Sequence, residues 1–249
     1  MSKHEKFILT PIINIIKDSI ISCSSISNGI NSFPLSDYVM QTTFLKITGA
    51  SEQKLKCLLW ELATDDYEFR YNFLKDNYGE CSNYESKEKT FQNLLECIKK
   101  INTEFDINDS EKSKILQNTK NECEKYFNNS IFSVWYSKLY REYEQIINFI
   151  TDQQFFQKNK KTMKLFSNKD NLPVNEKNNN LKDIFDSMYK HRNRCAHNLL
   201  SYQDNLPSLE ELKSEENKYD NWFLRFFILI LLDNIFIYIF KEYIKIRSV

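Results

Sequence analysis

Apolar residues recur every three or four positions through most of the chain, the spacing that gives an α-helix one buried face. Residues 5–22 carry Ile8, Ile12, Ile15, Ile16 and Ile20, with Pro11 suited to a helix start or a kink. A Ser-, Asn- and Gly-containing stretch at 22–32 reads as a loop. Residues 35–47 predict a short helix ended by Gly49, with Ser51 capping the next. That next helix repeats Leu55, Leu58, Leu59 and Leu62. It extends to about residue 74 through Tyr67, Phe69, Tyr71 and Phe73, aromatics expected to pack in the core rather than to stack on bases. After a loop at 76–84, the positions of Phe91, Leu94, Leu95 and Ile98 predict a helix over 87–101. Asp109 and Ser110 cap another, which runs to Phe127. Ser130 starts a long helix through Phe132, Trp135, Leu139, Tyr143, Ile146, Ile147 and Ile150, continuing toward Phe156.

The pattern then changes. Residues 157–180 are rich in Lys and Asn and contain Pro173, so they predict a polar insertion or flexible connection. Lys158, Lys160, Lys161 and Lys164 form a local basic run, either a solvated surface or a contribution to RNA phosphate binding. A helix over 181–194 follows on Ile184, Phe185, Met188 and Arg192, then a polar loop at 201–216 with Pro207. A final helix over 218–246 is apolar nearly all round. Its stretch from Trp222 to Phe240 is interrupted by Arg225, Asp233 and Asn234, and its longest uncharged run falls far short of the roughly 20 residues a membrane span needs. A buried core helix is the expectation, with a membrane helix as the alternative. Such a helix needs cover on most sides, and a second subunit is one source of it. No strand shows clean alternation, and no internal repeat or glycine-rich phosphate loop is visible. The expected fold class is therefore all-α, a multi-helix bundle, with residues 1–249 forming a single domain.

Composition agrees with this reading. Only 3 Gly and 4 Pro occur in 249 residues, too few for the tight turns of an all-β fold. Lys and Arg balance Asp and Glu at 34 each, which speaks against coating nucleic acid by charge alone but leaves room for a local phosphate site. The six cysteines (Cys23, Cys57, Cys81, Cys97, Cys123 and Cys195) show no CxxC pair, so no zinc framework is visible and no metal is expected. The first 22 residues lack a clean secretory pattern. Reduced thiols, a cytoplasmic location, no membrane and no cofactor are the expectations.

The candidate chemistry lies in Arg192-Asn193-Arg194-Cys195-Ala196-His197. Two of the three histidines, His191 and His197, sit in or beside it with two of the six arginines. An arginine and a histidine held together can cleave RNA without a metal: the guanidinium neutralises the phosphate, and the imidazole takes and returns protons near neutral pH. The spacing alone is close to background. Its setting adds weight, between an amphipathic helix and a long apolar one in a glycine-poor chain. Cys195 reads as a packing residue. On a straight helix, residues five apart point about 140° apart. Arg192 and His197 therefore cannot address one phosphate from an unbroken helix. Either the helix distorts, or residues from two chains converge about a two-fold axis.

This stretch resembles the motif of the HEPN superfamily, whose ribonucleases carry an Arg, often followed by a polar residue, and a His four to six positions on. The resemblance covers the motif and its flanking helices, about residues 181–246, and extends over residues 1–157 only through helical character. It implies a helical bundle that dimerises through the motif-bearing late helices, with a composite site that cleaves RNA without a metal in antiphage defence or toxin–antitoxin systems. On that reading Arg192, His197 and Asn193 are catalytic. His197 is general base or acid, Arg192 stabilises charge on phosphorus, and Asn193 orients the phosphate or the histidine. Arg194, His191 and Lys190 are candidate substrate contacts. The expected partners are RNA, a second copy of the chain, and an antitoxin or other defence protein. The competing readings are a catalytically silent scaffold of the same type and a membrane-associated effector acting through the last helix.

Overall fold

The computed structural model describes residues 1–26, 29, 32–75, 81–158, 163–167, 180–197 and 221–247. Within them lie ten α-helices and one two-stranded sheet, so the chain is all-α in its architecture. The helices are α1 (Lys3–Leu9), α2 (Ile13–Cys23), α3 (Phe33–Asp65), α4 (Tyr67–Lys75), α5 (Tyr84–Ile101), α6 (Asp109–Phe127), α7 (Ile131–Trp135), α8 (Ser137–Ile147), α9 (Leu181–His197) and α10 (Trp222–Arg247). The strands are β1 (Phe155–Lys158) and β2 (Met163–Phe166).

Caps set many of the helix starts. Asn83, Asn108 and Ser130 each accept a backbone N–H from three residues on, and Ser2 and Glu5 form a reciprocal capping box. Asn221 starts α10 by accepting from the N–H groups of Phe223 and Leu224. Pro11 lies in the short break between α1 and α2, so the single helix expected over 5–22 is two.

α10 is the axis of the bundle. It packs on α6, α5, α3, α8, α9 and α1. It is long and apolar enough to cross a membrane by length and composition, yet 89% of its most apolar window is buried inside the chain. The helix thus receives its cover from its own chain and needs no second subunit for it. Its polar interruptions are matched. Asp233 accepts from Lys54 Nζ at 2.5 Å and from the Ile12 N–H at 2.8 Å. Asn234 donates to Thr119 Oγ1 and Glu122 Oε2, both at 3.0 Å. The Arg225 guanidinium lies over the rings of Trp222 at 5.1 Å and Phe44 at 5.7 Å.

Three expectations are corrected. First, Gly49 does not end a helix: α3 runs through it for 33 residues, and Ser51 is buried inside the helix rather than capping one. A mid-helix glycine costs about 1 kcal/mol relative to alanine. Burial of Phe44, Ile47, Leu55, Leu58 and Leu59 on the flanking turns outweighs that cost. The helix breaks instead at Asp66, whose backbone is extended and whose carboxylate accepts from the Phe69 N–H. On α4, Phe69 is buried and stacks on Phe73, while Tyr67 and Tyr71, one turn apart on the other face, are exposed. The aromatic face is core only on one side.

Second, the long helix from Ser130 is interrupted at Tyr136, giving α7 and α8. Third, Phe155 and Phe156 belong to a strand. β1 and β2 are antiparallel, with Phe155 opposite Phe166 and Lys158 opposite Met163. β2 docks on α5: the Leu165 N–H donates to Glu88 and the Phe166 N–H to the Tyr84 hydroxyl at 3.1 Å. Phe156 stacks on Phe91. The stretch expected as a polar insertion therefore begins within β1 and contains β2, whose Met163, Leu165 and Phe166 are buried. The rest of that stretch, residues 168–179, lies outside the described residues, as do Lys160, Lys161 and the loop expected at 201–216.

Candidate functional site

α9 is where the motif stands. Asn180 and Asp183 exchange hydrogen bonds at its start, an N-terminal cap read directly from the side chains. Leu181, Ile184, Phe185 and Met188 bury one stripe of the helix against α3, α5 and α10. The next positions on that stripe are His191, Arg192 and Cys195, so the apolar face gives way to a polar one while still turned toward the bundle.

Arg192 is anchored on two sides. Its Nη2 donates to Glu52 Oε2 at 3.0 Å, and its Nη1 to Asn193 Oδ1 at 3.2 Å. The guanidinium lies 5.7 Å from the centre of the Tyr189 ring. Its side chain retains 21% of its exposure, against 11% for Glu52. Nε is buried with no hydrogen-bond partner among the described residues. The guanidinium is thus fixed on one edge by a carboxylate and open in part on another.

Behind this pair lies Lys87, on α5. It is 2% exposed and donates to the Cys81 carbonyl at 2.8 Å, with its ammonium 5.5 Å from the Phe185 ring centre. Burial pushes its pKa down to about 8. Glu52 and the Cys81 thiol oppose that shift, and Arg192 adds to it. Glu52, Lys87 and Arg192 line one cavity of about 10 Å³ with Thr48, Ser51 and Tyr189. That volume is of the order of a single water.

The other motif residues fall in different surroundings. His191 packs its ring against Trp222 at 5.5 Å and Phe44 at 6.0 Å, beside Arg225 rather than beside Arg192. Lys190 is exposed, and Cys195 is half-buried and forms no disulfide among the described residues. Arg194 and His197 are helical, and their side chains lie outside the described residues. The helix is unbroken from Leu181 through His197. Five residues of regular helix turn the chain by about 140°, so position 197 falls on the strip of Lys190 and Asn193 rather than on the stripe of Arg192.

Sequence reasoning singled out Arg192 and Asn193, which the structure joins by a hydrogen bond, but missed Glu52 and Lys87. A signal for both was present. Each occupies an inner-stripe position of its helix, Glu52 in line with Thr48, Leu55 and Leu59, and Lys87 in line with Tyr84, Phe91 and Leu94. A charge in an apolar stripe needs a partner, because a buried ion without one is costly. Comparison with protein families, with curated proteins and with solved structures finds no match to the chain.

Proposed function

We propose that the protein is a metal-independent endoribonuclease of HEPN type that works as a homodimer, with Arg192, Asn193 and His197 at the reacting phosphate. The observation that carries this reading is the Arg192 guanidinium, oriented by Glu52 and Asn193 and still partly open, on an unbroken helix that reaches His197. An oriented guanidinium suits stabilisation of the charge that develops on phosphorus. The helical offset of His197 favours a site assembled across two chains, since one unbroken helix aims the two positions apart. In the reaction, His197 of one protomer takes the proton of the ribose 2′-hydroxyl. The 2′-oxygen bonds to phosphorus, and the bond from phosphorus to the 5′-oxygen breaks. A second imidazole gives the leaving oxygen its proton. The products are a 2′,3′-cyclic phosphate and a 5′-hydroxyl, so DNA resists. Arg194, Lys190 and His191 are the proposed substrate contacts, although the packing of His191 on Trp222 fits a structural role better. This activity suits a cytoplasmic effector of antiphage defence or a toxin held by an antitoxin, with no cofactor.

One observation favours a second reading, a catalytically silent helical scaffold. The Arg192–Glu52 ion pair is also what a purely structural arginine forms between two packed helices. Incubation of total RNA with wild-type protein, Arg192→Ala and His197→Ala in chelator separates the two. Cleavage by the wild type with cyclic-phosphate ends, lost in both variants, supports the nuclease. Intact RNA at high wild-type concentration, with or without a candidate partner, supports the scaffold.

A further inference from the structure

A guanidinium bound to a carboxylate is a poor phosphate ligand, because the pair is close to neutral. Arg192 is in that position with respect to Glu52. The structure supplies a third charge. Lys87 reaches the same cavity from α5, and its ammonium interacts electrostatically with both Glu52 and Arg192. Two positive groups against one negative group leave one positive charge over. Lys87 is buried, so that surplus emerges at the partly open one of the two cations, Arg192.

We propose that Lys87 is a positioning residue of the site: from the buried side it offsets Glu52, so that Arg192 stays oriented by the carboxylate yet keeps a net positive charge for one phosphodiester group of RNA. This rests on Arg192 being the phosphate-binding group of the proposed ribonuclease. The size of the cavity fixes the division of labour. A space of about 10 Å³ admits a water and excludes a phosphate, so RNA meets Arg192 from the open side and never touches Lys87. The lysine acts through its neighbours.

The surroundings of Lys87 make its charge adjustable. Glu52 faces it from α3, Cys81 from the turn before α5, and Arg192 from α9. α9 also brings the Phe185 ring, and α10 brings Leu229 to the cavity. β2 meets α5 at Tyr84 and Glu88 instead. Burial has lowered the affinity of Lys87 for its proton to about pH 8. Loss of that proton leaves Arg192 facing Glu52 alone, and RNA affinity falls.

The test uses a fluorescent RNA oligonucleotide with 2′-O-methyl groups throughout, which binds but cannot be cleaved. Its affinity is measured by anisotropy at about pH 7 and at about pH 9, on either side of the lysine's titration. Wild-type affinity is expected to fall roughly tenfold across that interval, the size of one lost charge-assisted contact. Lys87→Met is expected to bind weakly at both pH values, and Lys87→Arg, which stays charged, tightly at both. A Lys87→Met protein that melts cooperatively and binds like the wild type overturns the proposal. If that variant does not fold, the wild-type profile decides, and an affinity constant across the interval overturns it as well. A wild type that binds no oligonucleotide at pH 7 removes both this proposal and the nuclease reading. Binding that follows Lys87 in a protein that cleaves no unmodified RNA keeps the proposal and removes only catalysis.

Discussion

Asp233 and Lys54 are 5% exposed each, and they meet in the middle of the bundle. Burial raises the pKa of Asp233 and lowers that of Lys54, so for both groups the cost of leaving water exceeds what the partner returns. Removing one member strands the other. Asp233→Asn or Lys54→Met alone is expected to cost about 3–5 kcal/mol in urea unfolding. The double replacement Lys54→Met with Asp233→Leu is expected to recover most of it, and a double variant as unstable as the singles would show that the pair does more than fill space. Burial lowers the pKa of Lys87 as well, and Glu52 only partly opposes that shift. Its folded pKa, about 8, lies below the ordinary lysine value of 10.5, so the unfolded chain holds more protons between those two values. Stability therefore rises with pH across that window and is lowest below it. The rise contributed by Lys87 is about 3 kcal/mol. Chemical denaturation of the wild type from pH 7 to above 10 should show this component, and Lys87→Met should lack it. Below pH 8 the protein thus tolerates a charge that weakens its fold, which is what a functional charge would require.

At the scale of elements, α3 is the test case. A Cβ placed on Gly49 meets nothing within 4 Å. Gly49→Ala is therefore expected to stabilise the protein by about 1 kcal/mol through helix propensity and the smaller entropy of the unfolded chain. A loss of stability on thermal melting would mean that the helix does not run straight through this position. On β2, Phe166 is fully buried between β1 and α5, stacked on Tyr84. Phe166→Ala is expected to cost about 3–5 kcal/mol, read from the shift in the urea midpoint. These two elements also mark where the sequence stops being legible. The regular apolar stripes of α5, α6 and α10 were readable because each helix buries one continuous face or its whole surface. Gly49 misled because a local breaker was read without the burial on either side of it. β1 and β2 were hidden because four residues are too few for alternation to stand out, and because their docking partner, Glu88, is far away in the chain. Arg192 was legible as a candidate from its neighbours. Its partner Glu52, 140 positions earlier, was not, since spacing along a chain says nothing about which inward charges meet.

For the whole molecule, the arrangement of α9 makes an assembly prediction. Arg192 and position 197 lie on different strips of one unbroken helix, so under the proposed function the site would draw its arginine and histidine from opposite protomers. Arg192→Ala and His197→Ala proteins, each inactive alone, are then expected to regain RNA cleavage when unfolded and refolded together. Mixtures as inactive as the separate variants would count against a shared site.

The place of α10 in the chain order has its own consequence. Every other helix it packs against is made before it, and its far end is tied back to the start of the chain through Arg247, which bonds Glu5 at 2.5 Å and also Asp65. A nascent chain emerging from the ribosome therefore presents the walls of a bundle without its pillar. The apolar stripes that face α10 stay uncovered until residue 247 has cleared the exit tunnel. A chain released before α10 keeps the packing of α1, α2 and α4 on α3 but leaves the faces that α10 covers bare. The same order brings Arg192, on α9, to Glu52 and Lys87 only after α3 and α5 have been made, so the charge cluster is completed late.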